Sequence, residues 1–74
     1  MAVVVVAGQA VVVSDLAVEV KATQLRLYLE TVHSRDAFLK LRRVRVLLRG
    51  SGWSPVERAA LERVMEELEQ EASG

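Results

Sequence analysis

The sequence predicts a small α+β domain: a four- to five-stranded, mainly antiparallel sheet with one C-terminal helix packed on a face. Three observations lead there. Two valine runs open the chain, a period of two follows through residues 16–29, and a capped amphipathic stretch closes it from Pro55. At 74 residues the chain is one domain, 1–74, without room for a second core.

Val3-Val4-Val5-Val6 and Val11-Val12-Val13 are β-branched, which restricts χ1 in a helix and suits a pleated surface. Ala7-Gly8-Gln9-Ala10 turns the chain between them, with Gly8 free to take positive φ. Unbroken valine implies strands buried on both faces, or an edge covered by another chain; left bare it is an aggregation hazard. Ser14-Asp15 reads as the next turn. Leu16, Val18, Val20 and Ala22 then alternate with Ala17, Glu19, Lys21 and Thr23, and Leu25, Leu27 and Leu29 with Arg26, Tyr28 and Glu30. That pattern predicts two half-buried strands, or one long strand bent at Thr23-Gln24, followed by a polar loop over His33-Ser34-Arg35-Asp36.

Residues 37–49 read two ways. As a helix, Ala37, Phe38, Leu41, Val44 and Leu48 form a stripe capped by Ser34 or Asp36. As a strand, Leu39 and Leu41 alternate, Arg42-Arg43 bulges, and Val44, Val46 and Leu48 resume. The strand is preferred, since Val44 and Val46 are β-branched and no capping box stands in front. Ser54-Pro55-Val56-Glu57 is a helix start, with a capping hydroxyl, proline at the first position and Glu57 three residues after the cap. Leu61, Val64, Met65 and Leu68 continue at helical spacing, giving a helix over Pro55–Gln70. Arg58 with Glu62 and Arg63 with Glu67 stand four apart. The acidic stretch Glu66–Glu71 opposes the helix dipole, so the last turn is expected to fray into a disordered Ala72-Ser73-Gly74.

Composition limits the chemistry. No cysteine is present, which removes disulfides, thiolate metal sites and thiol catalysis, and a single histidine leaves little for a transition metal. No metal-ligand spacing and no cofactor motif appear, so neither is expected. His33, Ser34 and Asp36 are catalytic residue types, but neighbours in one loop do not align as base, nucleophile and acid, and no enzyme is expected. Arg49-Gly50-Ser51-Gly52-Trp53-Ser54 lacks the lysine and length of a nucleotide-binding loop and reads as a sharp turn. Trp53 reads as a cover for one end of the core. Ala2–Val13 is too short and interrupted to span a membrane and lacks a basic flank, so no membrane segment is expected; the lack of cysteine fits a cytoplasmic protein.

The formal net charge is zero, yet its distribution is uneven. Arg35, Lys40, Arg42, Arg43, Arg45 and Arg49 face only Asp36 within residues 33–49, whereas glutamates dominate from residue 57 onward. Arg43–Glu57 resembles the strand-to-helix passage near the end of the organic hydroperoxide resistance (OsmC-like) family. That family works through cysteine, so its peroxidase activity does not follow here.

Small size, a 51% hydrophobic composition and no disulfide or metal point to a non-catalytic subunit that self-associates or joins a larger protein. Val3, Val4, Val5, Val6, Val11, Val12 and Val13 are its expected interface. The alternative is a nucleic-acid-binding module using the basic patch Lys40, Arg42, Arg43, Arg45 and Arg49. As a strand this patch would project Lys40, Arg45 and Arg49 together, with Arg42 or Arg43 joining them according to the bulge; as a helix, Arg42, Arg45 and Arg49.

Overall fold

The two valine runs fold back on each other across Ala7-Gly8. In the computed structural model, which describes residues 1–74, β1 (Ala2–Val6) pairs antiparallel with β2 (Gln9–Val13), setting Val3 opposite Val12, Val4 opposite Val11 and Val5 opposite Ala10. Ala7 (φ 52°) and Gly8 (φ 78°) both lie in the left-handed region, as a two-residue turn matched to strand twist demands. One face of the hairpin is core. Val4 and Val13 are buried, and Ala2, Val6 and Val11 pack beside them.

The sheet ends at these two strands, which corrects the expected four or five. Three helices follow: α1 (Asp15–His33), α2 (Ala37–Arg49) and α3 (Pro55–Ser73). The period of two across residues 16–29 comes from two helical stripes lying on opposite sides of α1. Val18, Ala22, Leu25 and Leu29, spaced by four, three and four, face the core, while Leu16, Val20 and Leu27 lie exposed on the far side. Ser14, expected in a turn, is instead the N-cap, its hydroxyl accepting from the Ala17 N–H at 3.3 Å.

Residues 37–49 are helical, against the preferred strand. The Asp36 carboxylate caps α2 by accepting from the Leu39 N–H at 3.1 Å, so a single side chain serves without a capping box. Leu41 and Val44 are buried, with Ala37 and Leu48 beside them, and this packing outweighs the weak strand preference of two valines. The likeness of Arg43–Glu57 to a strand-to-helix passage therefore fails, because the segment is helix, loop, helix.

The start of α3 is as expected. Ser54 and Glu57 form a reciprocal capping box with Pro55 at the first position. Its end differs: the helix continues through Ser73, and Ala72 packs on the core, which holds the last turn against the unfavourable dipole. Trp53 is half-buried at the core's end as expected, and its indole N–H donates to the Leu47 carbonyl at 2.7 Å, pinning the loop back on α2.

α3 is the central element, with α1 and α2 packed on it and little direct contact between those two. Its Ala60, Leu61, Val64 and Leu68 meet Val18, Ala22 and Leu29, Leu41 and Val44, and the hairpin's Val4 and Val13 in one core. At the edge of the α1–α3 seam, Arg26 grips Glu67 through two bonds of 2.9 and 2.7 Å and also reaches Glu19 at 3.0 Å. Arg63 donates to the same Glu19 at 2.7 Å. Arg63 and Glu67 thus bind across to α1 rather than to each other, while Arg58 and Glu62 pair along α3 at 3.4 Å. No helix is long and apolar enough to cross a membrane.

Candidate interaction surfaces

Besides the exposed apolar stripe Leu16, Val20 and Leu27 on α1, two surfaces carry side chains that the fold itself does not use. The first is the outer face of the hairpin. Strand alternation turns Val3, Val5 and Val12 outward, 65%, 65% and 59% exposed, while their neighbours turn in. The seven valines expected at an interface therefore divide: Val4 and Val13 belong to the core, Val6 and Val11 flank it, and Val3, Val5 and Val12 are free. From Ala2 to Ser14 there is no charged side chain, and each strand keeps one unpaired edge. Charges and prolines are the usual means of blunting such edges, and neither is here.

The second surface is the outer side of α2. Because the segment is helical, Arg42, Arg45 and Arg49 lie along one side, lining a cleft of about 490 Å³ with Phe38, Leu41 and Val46. A second cleft, about 220 Å³, lies between His33, Leu39, Arg42, Arg43 and Val46. The expected basic patch is thereby split. Lys40 is turned aside, its ammonium 3.0 Å from Glu30 with the side chain only 12% exposed. Arg45 reaches Glu69 at 3.2 Å. Arg42, Arg43 and Arg49 make no ion pair, and Arg35 in the preceding loop makes none either.

The carboxylates explain why a neutral chain shows a cationic face. Asp15 is paired with the amino terminus, and Glu19, Glu30, Glu62, Glu67 and Glu69 are paired with Lys or Arg. Asp36 and Glu57 serve as caps. Arg26, and less strongly Arg63, hold the Glu19 carboxyl below its usual range. The Ser54 hydroxyl and backbone N–H do the same for Glu57. Only Glu66 and Glu71 stay unengaged, both on α3. Sequence reasoning found the arginines but not the apolar side chains beside them: the helix reading set Phe38 in the stripe with Leu41 and Val44, whereas it is 70% exposed, and the strand reading set Leu39 and Val46 among the alternating apolar positions. Leu39 and Val46, seven apart, were the available signal.

His33, Ser34 and Asp36 are brought near one another only as helix ends: Ser34 closes α1, its N–H donating to the Glu30 carbonyl at 2.9 Å, and Asp36 opens α2. The imidazole Nε2 of His33 is sheltered from solvent and has no hydrogen-bond partner, the one such side-chain atom in the molecule. Lys21, Gln24 and Glu57 rim a third cleft, about 250 Å³, floored by Leu25, Leu47, Trp53 and Leu61.

No protein-family model, no curated protein and no solved structure matches this chain.

Proposed function

We propose that the protein is a non-catalytic assembly subunit that associates with a second copy of itself through the outer face of the hairpin. The observation that carries this reading is the uncharged surface of Val3, Val5 and Val12, with free strand edges on either side. An isolated two-stranded ribbon is marginal in water, and only its inner face has a partner within the chain. The surface area supports the same reading. A compact monomer of 8.2 kDa exposes roughly 4,500 Å² by the size scaling of folded proteins, whereas this chain exposes 5041 Å². Eleven residues are buried out of 74, a small core for a domain with no disulfide to help it. A reducing compartment, the cytoplasm, suits a chain without cysteine.

Native mass spectrometry tests the proposal. The wild type is expected as a closed multimer at micromolar concentration, and Val5→Lys as a monomer. Val5 is already exposed in the single chain, so the lysine leaves the monomer's fold within about 0.5 kcal/mol of wild type, and the far-UV circular dichroism is unchanged. A wild type that runs as a lone 8.2 kDa chain refutes the reading, as does a Val5→Lys variant that stays multimeric.

A further inference from the structure

The outer side of α2 calls for a different occupant, one that brings its own negative charge. We propose that this surface docks an acidic amphipathic helix of a partner protein, with apolar side chains seated over Leu39 and Val46 and carboxylates reaching Arg42, Arg43 and Arg49.

Charge decides the sign of the partner. Arg42, Arg43 and Arg49 have no carboxylate within the molecule, and α2 carries no acidic residue of its own. Two unengaged glutamates on α3 do not balance them, so a second copy is a poor match and an anionic partner a good one.

The apolar side chains decide its class. Phe38, Leu39 and Val46 are 70%, 44% and 52% exposed, interleaved with the arginines. A nucleic-acid surface positions phosphates with Ser, Thr, Asn and Gln as well as cations. The polar residues of α2 are Lys and Arg alone, and its exposed apolar groups would gain nothing against a phosphate backbone. Arginine and phenylalanine around an apolar centre are instead the composition of a protein interface.

The geometry gives the shape. Leu39 and Val46 stand one heptad apart, and Arg42 and Arg43 fall on either side of the line joining them, the layout of an apolar seam with flanking charges. Clefts of about 490 and 220 Å³ run along the two sides of that seam, with Arg42 and Val46 lining both. Each is lined by apolar side chains together with arginines, which suits a leucine-sized side chain next to a carboxylate. His33 lines the smaller cleft beside Leu39, Arg42, Arg43 and Val46. At 13 residues α2 is about 20 Å long, enough for roughly two heptads of a partner helix.

The test uses fluorescence anisotropy with a labelled synthetic helix of about three heptads, Leu at the seam positions and Glu on the flanks. Its Lys-flanked counterpart and a mixed-sequence DNA duplex serve as competitors. The Glu-flanked helix is expected to bind at least about tenfold tighter than either competitor. Arg42→Glu with Arg43→Glu should weaken it at least about tenfold and reverse the preference toward the Lys-flanked helix, and Val46→Ser should weaken it without changing the preference. These residues are exposed or half-exposed, so circular dichroism should show all variants folded. Tighter binding of the duplex would make the surface a nucleic-acid site and overturn the proposal. So would no binding of the Glu-flanked helix, or binding that both variants leave intact.

Discussion

The hairpin turn offers the sharpest test of how this sequence specifies its fold. A two-residue turn of this hand needs positive φ at both positions, and asparagine followed by glycine is its favoured pair. Here Ala7 holds the first position at φ 52°, where its Cβ crowds the following carbonyl. For an L-residue that conformation costs about 1–2 kcal/mol, whereas asparagine adopts it readily through local hydrogen bonding. Ala7→Asn should therefore recover about 1 kcal/mol, and in a domain of this length that raises the melting temperature by roughly 4–8 °C. Ala7→Val, with a branched Cβ, should lower it by at least as much. The assay is thermal unfolding followed by circular dichroism at two protein concentrations, because self-association adds concentration-dependent stability. An Asn variant melting at or below the wild-type temperature at both concentrations would refute the argument.

Two further outcomes are expected. Leu29 is 1% exposed between α1 and α3, and Leu29→Ala should cost about 2–5 kcal/mol, a large part of what holds a domain of this size; urea unfolding showing a loss below about 1 kcal/mol would place the core elsewhere. Glu19 and Glu57 both have carboxyls below the ordinary value of 4.5, held there by Arg26 and Ser54 foremost. The folded values lie under the unfolded ones, so their contribution is fully present above about pH 4.5 and is lost as the pH falls through the folded values. Glu19→Gln with Glu57→Gln should make the fall in melting temperature below pH 4.5 shallower, and an unchanged slope would show that other groups control acid unfolding.

What the sequence made legible was what local chemistry decides. The turn at Gly8 and the strands on either side were readable because β-branching and a break in it are local signals, and the start of α3 because its cap, proline and Glu57 are contiguous. α1 was misread for a reason visible in its side chains. Leu16, Val20 and Leu27 add an exposed apolar stripe to the buried one of Val18, Ala22 and Leu29, and the two stripes together imitate alternation. α2 is hard to read because β-branching at Val44 and Val46 competes with the Asp36 cap, although Val44 is simply a buried position of an amphipathic helix. The basic surface was half legible. Its charges could be counted along the chain, but which of them stay free depends on where Glu30 and Glu69 come to lie, and only the packing of three helices sets that.

That dependence on packing separates the two surfaces physically. Exposed ion pairs such as Arg58–Glu62 add little stability individually, so the main consequence of pairing nearly every carboxylate is electrostatic: it cancels the acids in place and leaves the cations of α2 uncancelled. A contact made there is carried by charge and weakens as salt shortens the screening length, from about 10 Å at 0.1 M to about 3 Å at 1 M. A contact made by Val3, Val5 and Val12 is carried by apolar burial, which salt of that kind does not screen. Raising sodium chloride from 0.1 M to 1 M should therefore release an acidic helix from α2 while leaving the hairpin-mediated multimer intact. A multimer that dissolves along with the bound helix would mean that the arginines, not the valines, hold the copies together.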